Sequence, residues 1–279
     1  MTNPYLIDGP AVISFSGGRT SAYMLFHVLQ AHGGALPEDV KVCFANTGKE
    51  MPQTLDFVHA CGERWGVPIV WLEYNPMKEH KVEVVDYDSA SRNGEPFDRV
   101  IEARQFLPNP VTRFCTAEMK IRTMYRYAYR LLGWQHWINA VGLRADEPRR
   151  VAKIKNQRER WETIAPLAEA GVTAADVGEF WQAQPFDLDL PNINGKTHLG
   201  NCDLCFLKGA QTIQNIMKAM PERAAWWIEK ESQTLAQKPT GARFRIDRPC
   251  YADLLRQTQS QCEFEFGNID ELQECYCHD

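Results

Sequence analysis

The chain has 279 residues, with 31 lysines and arginines against 36 aspartates and glutamates. That length can bury one large domain, alone or with an appendage, and the formal charge of −5 leaves only local basic patches for nucleic acid. No charged-then-apolar leader and no membrane-length apolar run occur, so a soluble, cytoplasmic chain without a membrane partner is expected; nine cysteines in such a compartment point to metal, iron–sulfur or redox chemistry.

Ala11-Val12-Ile13 reads as a short buried strand, and Ala22 to Leu29 as a largely buried helix. Between them lies Ser14-Phe15-Ser16-Gly17-Gly18-Arg19-Thr20-Ser21. A strand, a glycine turn and a helix start place free backbone N–H groups where phosphate can be held, helped by the helix dipole. Gly17 and Gly18 remove Cβ atoms from the approach, and Ser16, Thr20 and Ser21 add hydroxyls. An ordinary small-residue turn would read the same from glycines alone. The string Ser16-Gly17-Gly18-Arg19-Thr20-Ser21 resembles the SGGxxS pyrophosphate loop, or PP-loop, of the adenine-nucleotide α-hydrolase superfamily. That superfamily contains N-type ATP pyrophosphatases, ATP sulfurylase small subunits and phosphoadenosine phosphosulfate (PAPS) reductases. Arg19 and Thr20 stand where many relatives carry Lys and Asp. The Walker spacing is absent.

Val40 to Gly48 reads as a second strand ending in a polar turn, Glu50 to Trp65 as a helix, and Val67 to Leu72 as a third strand. This alternation predicts a Rossmann-like α/β fold: a parallel sheet with helices on both faces and ligands beyond the strands' carboxyl ends. The resemblance implies that the adenine is read after the second strand, around Phe44, Ala45, Asn46 and Thr47; plain core packing is the alternative for Phe44. Lys78 to Pro110 reads as a polar, charged excursion from the sheet.

Arg113-Phe114-Cys115-Thr116 opens a further helix, continuing through Met124 to Leu132. A cysteine near a helix N-terminus has its thiolate favoured by the dipole. The segment resembles its counterpart in PAPS reductases and DNA-phosphorothioation enzymes; for the latter, as for bacterial adenylylsulfate reductases, the resemblance implies cysteine ligands to a [4Fe–4S] cluster, and a buried core thiol is the alternative. Trp137 to Gly142 reads as a strand delivering Leu143-Arg144-Ala145-Asp146-Glu147 at its end. Arg144 suits phosphate oxygens, while Asp146 or Glu147 suits Mg²⁺ or the holding of arginines. This G-x-R-x-[DE]-E pattern resembles the second signature of the sulfurylase and PAPS reductase branch. Arg149, Arg150, Lys153 and Lys155 offer a further phosphate or nucleic-acid contact, or form a solvated basic face. Thr173 and Asp176 predict a capped helix.

Cys202-Asp203-Leu204-Cys205 presents two thiolates in a loop, a pattern that suits metal better than a thioredoxin-like dithiol at this place in the chain. With Cys115 it resembles the layout of cluster-binding adenylylsulfate reductases, the remaining ligand being Cys250, Cys262, Cys275, Cys277 or none. Zn²⁺ is the other metal such cysteines suit. Ala210 to Leu235 reads as helical, with Trp226-Trp227 as core. The tail Glu274-Cys275-Tyr276-Cys277-His278 resembles the ECGxH tail of PAPS reductases, which would make Cys275 a nucleophile; Tyr276 replaces the glycine.

Together these readings predict a nucleotide-binding domain over residues 1–208 and a mainly helical, cysteine-containing extension over 209–279. The leading function is cleavage of ATP to AMP and pyrophosphate, adenylating a substrate for iron–sulfur-dependent sulfur transfer. Its cofactors would be ATP, Mg²⁺ and a [4Fe–4S] cluster, and its partners a sulfur donor such as a cysteine desulfurase and an acceptor that includes nucleic acid among the options. The alternatives are a PAPS or adenylylsulfate reductase using Cys275 with thioredoxin, and a non-catalytic zinc module that binds nucleic acid.

Overall fold

The computed structural model describes residues 3–154, 159–192, 197–237 and 241–260. A six-stranded sheet runs through its centre in the order β4-β3-β2-β1-β5-β6. The strands are β1 (Ala11–Ser14), β2 (Val40–Asn46), β3 (Ile69–Tyr74), β4 (Val82–Val85), β5 (Trp137–Val141) and β6 (Trp161–Ile164). Apolar runs such as Ala11-Val12-Ile13 suit strands buried on both faces. Five strands are parallel; β4 pairs antiparallel with β3, Trp71 opposite Val85. The sequence reading left Lys78 to Pro110 as an excursion, yet it contains β4 and the helix α3 (Glu95–Arg104). Charged neighbours mask the alternation in β4, while Phe97, Val100 and Ile101 give α3 its buried face.

On one face, α1 (Arg19–Ala31) and α2 (Pro52–Trp65) share a core with residues of a later helix, Ala174–Gln182. That helix begins with the predicted capping box, in which the Thr173 N–H and hydroxyl both donate to Asp176. The opposite face is covered by a helix with two π-helical stretches, Thr116–Ile121 and Tyr127–Leu131, around α4 (Arg122–Arg126). Tyr127 and Ala128 pack there on Val12, Cys43 and Leu72. From the central β1 the chain goes outward through β2 and β3, then returns to place β5 and β6 on the other side. The switch point at β1 and β5 is where an open sheet leaves a crevice.

The chain continues through α5 (Pro148–Ile154), α6 (Pro166–Glu169), α7 (the Ala174–Gln182 helix), α8 (Ala210–Ala219), α9 (Ala224–Gln237) and α10 (Tyr251–Ser260). The last three build a second core with α3, Phe114, Met119 and the Cys202–Leu207 segment. Trp227 is fully buried in it, as the sequence predicts. Its indole N–H donates to Asp203 Oδ1 at 2.9 Å, and the other oxygen of this fully buried carboxylate faces Lys49 Nζ at 3.4 Å and Arg223 Nη1 at 3.7 Å. Among the described residues no helix is long and apolar enough to cross a membrane.

Truncating Asp203 strands the buried Lys49 ammonium and the Trp227 N–H. Asp203→Ala is therefore expected to lose about 3–5 kcal/mol of stability, measured by urea unfolding; a loss below about 1 kcal/mol would show that the pairing carries little.

Candidate nucleotide site

A cavity of about 460 Å³ opens at the switch point. Its floor is the loop joining β1 to α1, from Ser14 to Ser21. The first N–H groups of a helix have no intrahelical acceptor, and no side chain caps α1. The loop is tied internally: the Ser16 N–H donates to Ser21 Oγ at 3.1 Å, the two hydroxyls lie 2.9 Å apart, and Ser21 Oγ donates to the Gly18 carbonyl at 2.9 Å. Gly17 has φ of +75°, and a Cβ there would lie 2.7 Å from Thr54 Cγ2. Gly142, after β5, brings the second motif against α1; a Cβ on it would lie 3.1 Å from Ser21 Cα.

The second motif meets the loop through Arg144, whose Nη1 donates to Thr20 Oγ1 at 3.2 Å. Its Nε donates to Asp146 Oδ1 at 2.8 Å, and its backbone N–H donates to Glu147 Oε2 at 3.0 Å. The other oxygen of Glu147 accepts from Arg150 Nη1. Glu147 thus holds two arginines side by side, both lining the cavity. Asp146 also accepts from the Ala174 N–H at 3.2 Å, which ties it to the start of α7. Of the two roles the sequence left open for these carboxylates, the arginine-holding one is occupied. Arg150 stands out: its Nε and Nη2 are buried with no acceptor among the described residues. Buried, unpaired guanidinium donors are costly, and an anionic ligand would satisfy them.

The other expected ligands already have partners within the protein, and Arg19 and Ser14 among them line the cavity. Arg19 turns away from a phosphate role: it donates to both oxygens of Asp187 at 2.7 and 2.5 Å, to the Leu190 carbonyl at 2.8 Å and to Thr197 Oγ1 at 3.0 Å. Burial pushes the Asp187 carboxyl up, but the Arg19 pairing outweighs it and leaves the carboxyl below its ordinary value. The pair fixes a cavity wall instead. Phe44 packs edge-on against Trp71 in the core. The Asn46 amide donates to Glu73 at 2.7 Å and to the Ser91 carbonyl at 2.8 Å, and Thr47 donates to Glu50. None of these three lines the cavity; Ala45 between them does. Ser14 lines it with its hydroxyl donating to Asn139 Oδ1 at 2.9 Å. The sequence reading did not single out Asn139, although alternation along Trp137, Asn139 and Val141 puts all three on one strand face.

Cys115, Cys202 and Cys205 all belong to the second core, and Cys202 Sγ lies 3.4 Å from Thr47 Oγ1. None lines the cavity, although Gly200 and Asn201, just before Cys202, do. Among the described residues no three His, Cys, Asp or Glu side chains form a group able to hold a metal ion. Cys115, Cys202 and Cys205 bring three thiols into one core, a donor set that suits a metal, and the described residues alone hold no complete site. Cys262, Cys275, Cys277 and Lys155 lie outside the described residues. Cys250 immediately precedes α10, with its thiol donating to Asp253 at 3.0 Å.

The family model for the phosphoadenosine phosphosulfate reductase domain matches residues 10–186. The chain belongs to this family. The PAPS reductase match spans the glycine loop and the Arg144 motif and ends before Cys202. An uncharacterized nin region protein, ORF290, of Escherichia phage lambda is 31% identical over 209 residues, covering 72% of this chain and 67% of that protein. Among solved structures, a phosphoadenylyl-sulfate reductase from Candida auris aligns with 16% identity and a TM-score of 0.40, over 64% of this chain and 76% of that one. A U34-tRNA thiolase from Methanococcus maripaludis, solved with its [4Fe–4S] cluster, aligns with 12% identity and a TM-score of 0.39, over 89% and 71%.

Two outcomes follow from the site's geometry. Gly17→Ala imposes left-handed strain of about 1–2 kcal/mol plus the Thr54 clash, whereas Gly133→Ala, at φ of +74° with open space around it, imposes the strain alone. Denaturation should show the larger loss for Gly17→Ala, with ATP affinity falling only in that variant. The second concerns Glu118 on the covering helix, which accepts from Arg104, Arg122 and Arg126 at 2.7, 2.7 and 2.9 Å. Burial raises its carboxyl, but the three arginines outweigh this and hold it below the ordinary value. A depressed carboxyl stabilises the fold above its unfolded pKa and loses that contribution as pH falls through its folded value. The stability gap between wild type and Glu118→Gln should therefore narrow as pH drops from about 7 to about 3, followed by thermal melting.

Proposed function

We propose that this PAPS reductase-family chain is an enzyme that binds ATP and splits it between the α and β phosphates to adenylate an acceptor. The observation that carries this reading is one cavity combining an uncapped helix start with two arginines held by Glu147, of which Arg150 has unsatisfied buried donors. The pyrophosphate half would lie on the backbone donors of residues 16–21, with Arg144 and Arg150 over its oxygens. An acceptor oxygen attacks the α-phosphorus; that P–O bond forms, the bridging P–O bond to the β-phosphate breaks, and pyrophosphate leaves with the electron pair. Charge builds on the departing phosphates, where fixed donors are worth most. Their positions are set before the nucleotide arrives, so little reorganisation opposes the step.

The carbon bearing the adenylated oxygen would then be open to a sulfur nucleophile: the C–S bond forms, the C–O bond breaks and AMP leaves. The sulfur would come from a donor such as a cysteine desulfurase, whose persulfide sulfur leaves at the sulfide level when a thiol reductant takes up the donor cysteine as a disulfide. No step is assigned to a cluster or to Mg²⁺. The family description favours a second reading, reduction of PAPS with Cys275 attacking sulfur and thioredoxin resolving the product. That cysteine lies outside the described residues.

Pyrophosphate release from ATP in the presence of Mg²⁺, compared with PAPS turnover, separates the readings. Each lost charged hydrogen bond is worth about 1.5–3 kcal/mol, so Arg150→Ala should lower kcat/KM for pyrophosphate release by about 100-fold or more. Arg150→Lys should recover only part of it. Turnover of PAPS with no ATP cleavage by the wild type would move the assignment to the reductase.

A further inference from the structure

The cavity continues past the phosphate seat along a single face of the sheet. Alternate residues of adjacent strands line it: Val12 and Ser14 on β1, Trp137 and Asn139 on β5, Trp161 and Thr163 on β6. Trp137 sits directly opposite Trp161, and Asn139 opposite Thr163. The two indoles stack at 5.4 Å and 24°. Tyr125, from the covering helix, packs on both at 5.9 and 6.0 Å and stacks on Tyr129 at 5.4 Å and 15°. The guanidiniums of Arg130 and Arg160 each lie 4.9 Å from the Tyr129 ring. Both arginines are exposed.

This end has a specific chemistry. It is a broad aromatic wall with a polar rung of Asn139 and Thr163 about 7 Å along the strands, at two residues' rise. Asn139 Oδ1 already accepts from Ser14, which leaves the amide nitrogen to donate. A hydrocarbon would waste that rung. A planar heterocycle with donors and acceptors on its edge uses both wall and rung. Exposed Glu159 also lines the cavity and adds an acceptor for an exocyclic amine.

The ring is not the adenine of a nucleotide seated beside Ala45. β2 and β6 are separated by β1 and β5, so the two places are three strand spacings, about 14 Å, apart. We infer that the β5–β6 end of the cavity is a stacking subsite for an unpaired nucleobase of a single-stranded nucleic-acid substrate. The base lies against Trp161 and Tyr125 with its edge toward Asn139 and Thr163, and its flanking phosphates meet Arg130 and Arg160. The assignment to a second substrate rests on the reading of the glycine loop as a phosphate seat for ATP.

The test measures binding of single-stranded RNA and DNA oligonucleotides of about 12 residues, and separately of ATP, to full-length wild type, Trp161→Ala and Trp134→Ala. Trp134 packs in the same aromatic cluster without lining the cavity, so it controls for general loosening. The expected result is oligonucleotide binding by the wild type, weakened about tenfold or more in Trp161→Ala, the loss of about one stacked base. Trp134→Ala and the ATP affinity of both variants should stay within about twofold of wild type. A larger effect with RNA than with DNA would name the sugar of the substrate within the proposal. Absence of oligonucleotide binding, or binding indifferent to Trp161→Ala, overturns the subsite. Equal weakening of ATP also overturns it, by making the ring the nucleotide's own. Failure of ATP to bind while the Trp161 effect on oligonucleotide persists counts against the phosphate seat alone.

Discussion

Two arginines a few residues apart at the mouth of a cavity repel each other and the positive end of a nearby helix. Glu147 makes the arrangement tenable. One of its oxygens takes the Arg144 backbone N–H and the other takes Arg150, so a single carboxylate fixes the backbone of one arginine and the guanidinium of the next. The charge balance is deliberately incomplete: Arg150 keeps two buried nitrogens without an acceptor among the described residues. A structure that leaves cationic donors unpaired inside a crevice is poised for an anion, and its most stable state is the occupied one.

The rest of the site follows from keeping that crevice open. Arg19 clamps Asp187, the Leu190 carbonyl and Thr197, holding the loop that walls the cavity. The Trp181 indole donates to the Arg19 carbonyl at 2.9 Å and ties α7 to the start of α1. On the far side, Lys49 and Asp203 join the turn after β2 to the cysteine loop, with the Asp203 N–H donating to the Lys49 carbonyl at 2.7 Å. Each clamp is a charge taken out of water and matched, which favours one arrangement of the walls more than it adds stability.

Features of the site that are local in sequence were legible from it. The loop from Ser16 to Ser21 and the Gly142 to Glu147 motif each fold within a few residues, so their residue order carries their geometry. The pairing of Arg19 with Asp187 was not legible, because the two are far apart along the chain and no local pattern encodes it. The antiparallel β4 was hidden by charges at an exposed edge. Phe44 and Asn46 sit on a strand whose two faces are both buried, so residue type alone could not separate core from ligand surface. Cys115 meets Cys202 and Cys205 in one core, as the resemblance implied; their separation along the chain carries no such signal, and a complete metal site is not formed among the described residues alone.

The family match stops at residue 186, while the cavity also draws lining from Thr197 to Lys208. The match covers the glycine loop and the Arg144 motif, and the opposite wall comes from the segment after it, joined to the turn after β2 through Lys49 and the Glu50–Cys202 β-bridge. Substitutions in that segment can reshape one wall of the cavity while the glycine loop and the paired arginines keep their own hydrogen bonds.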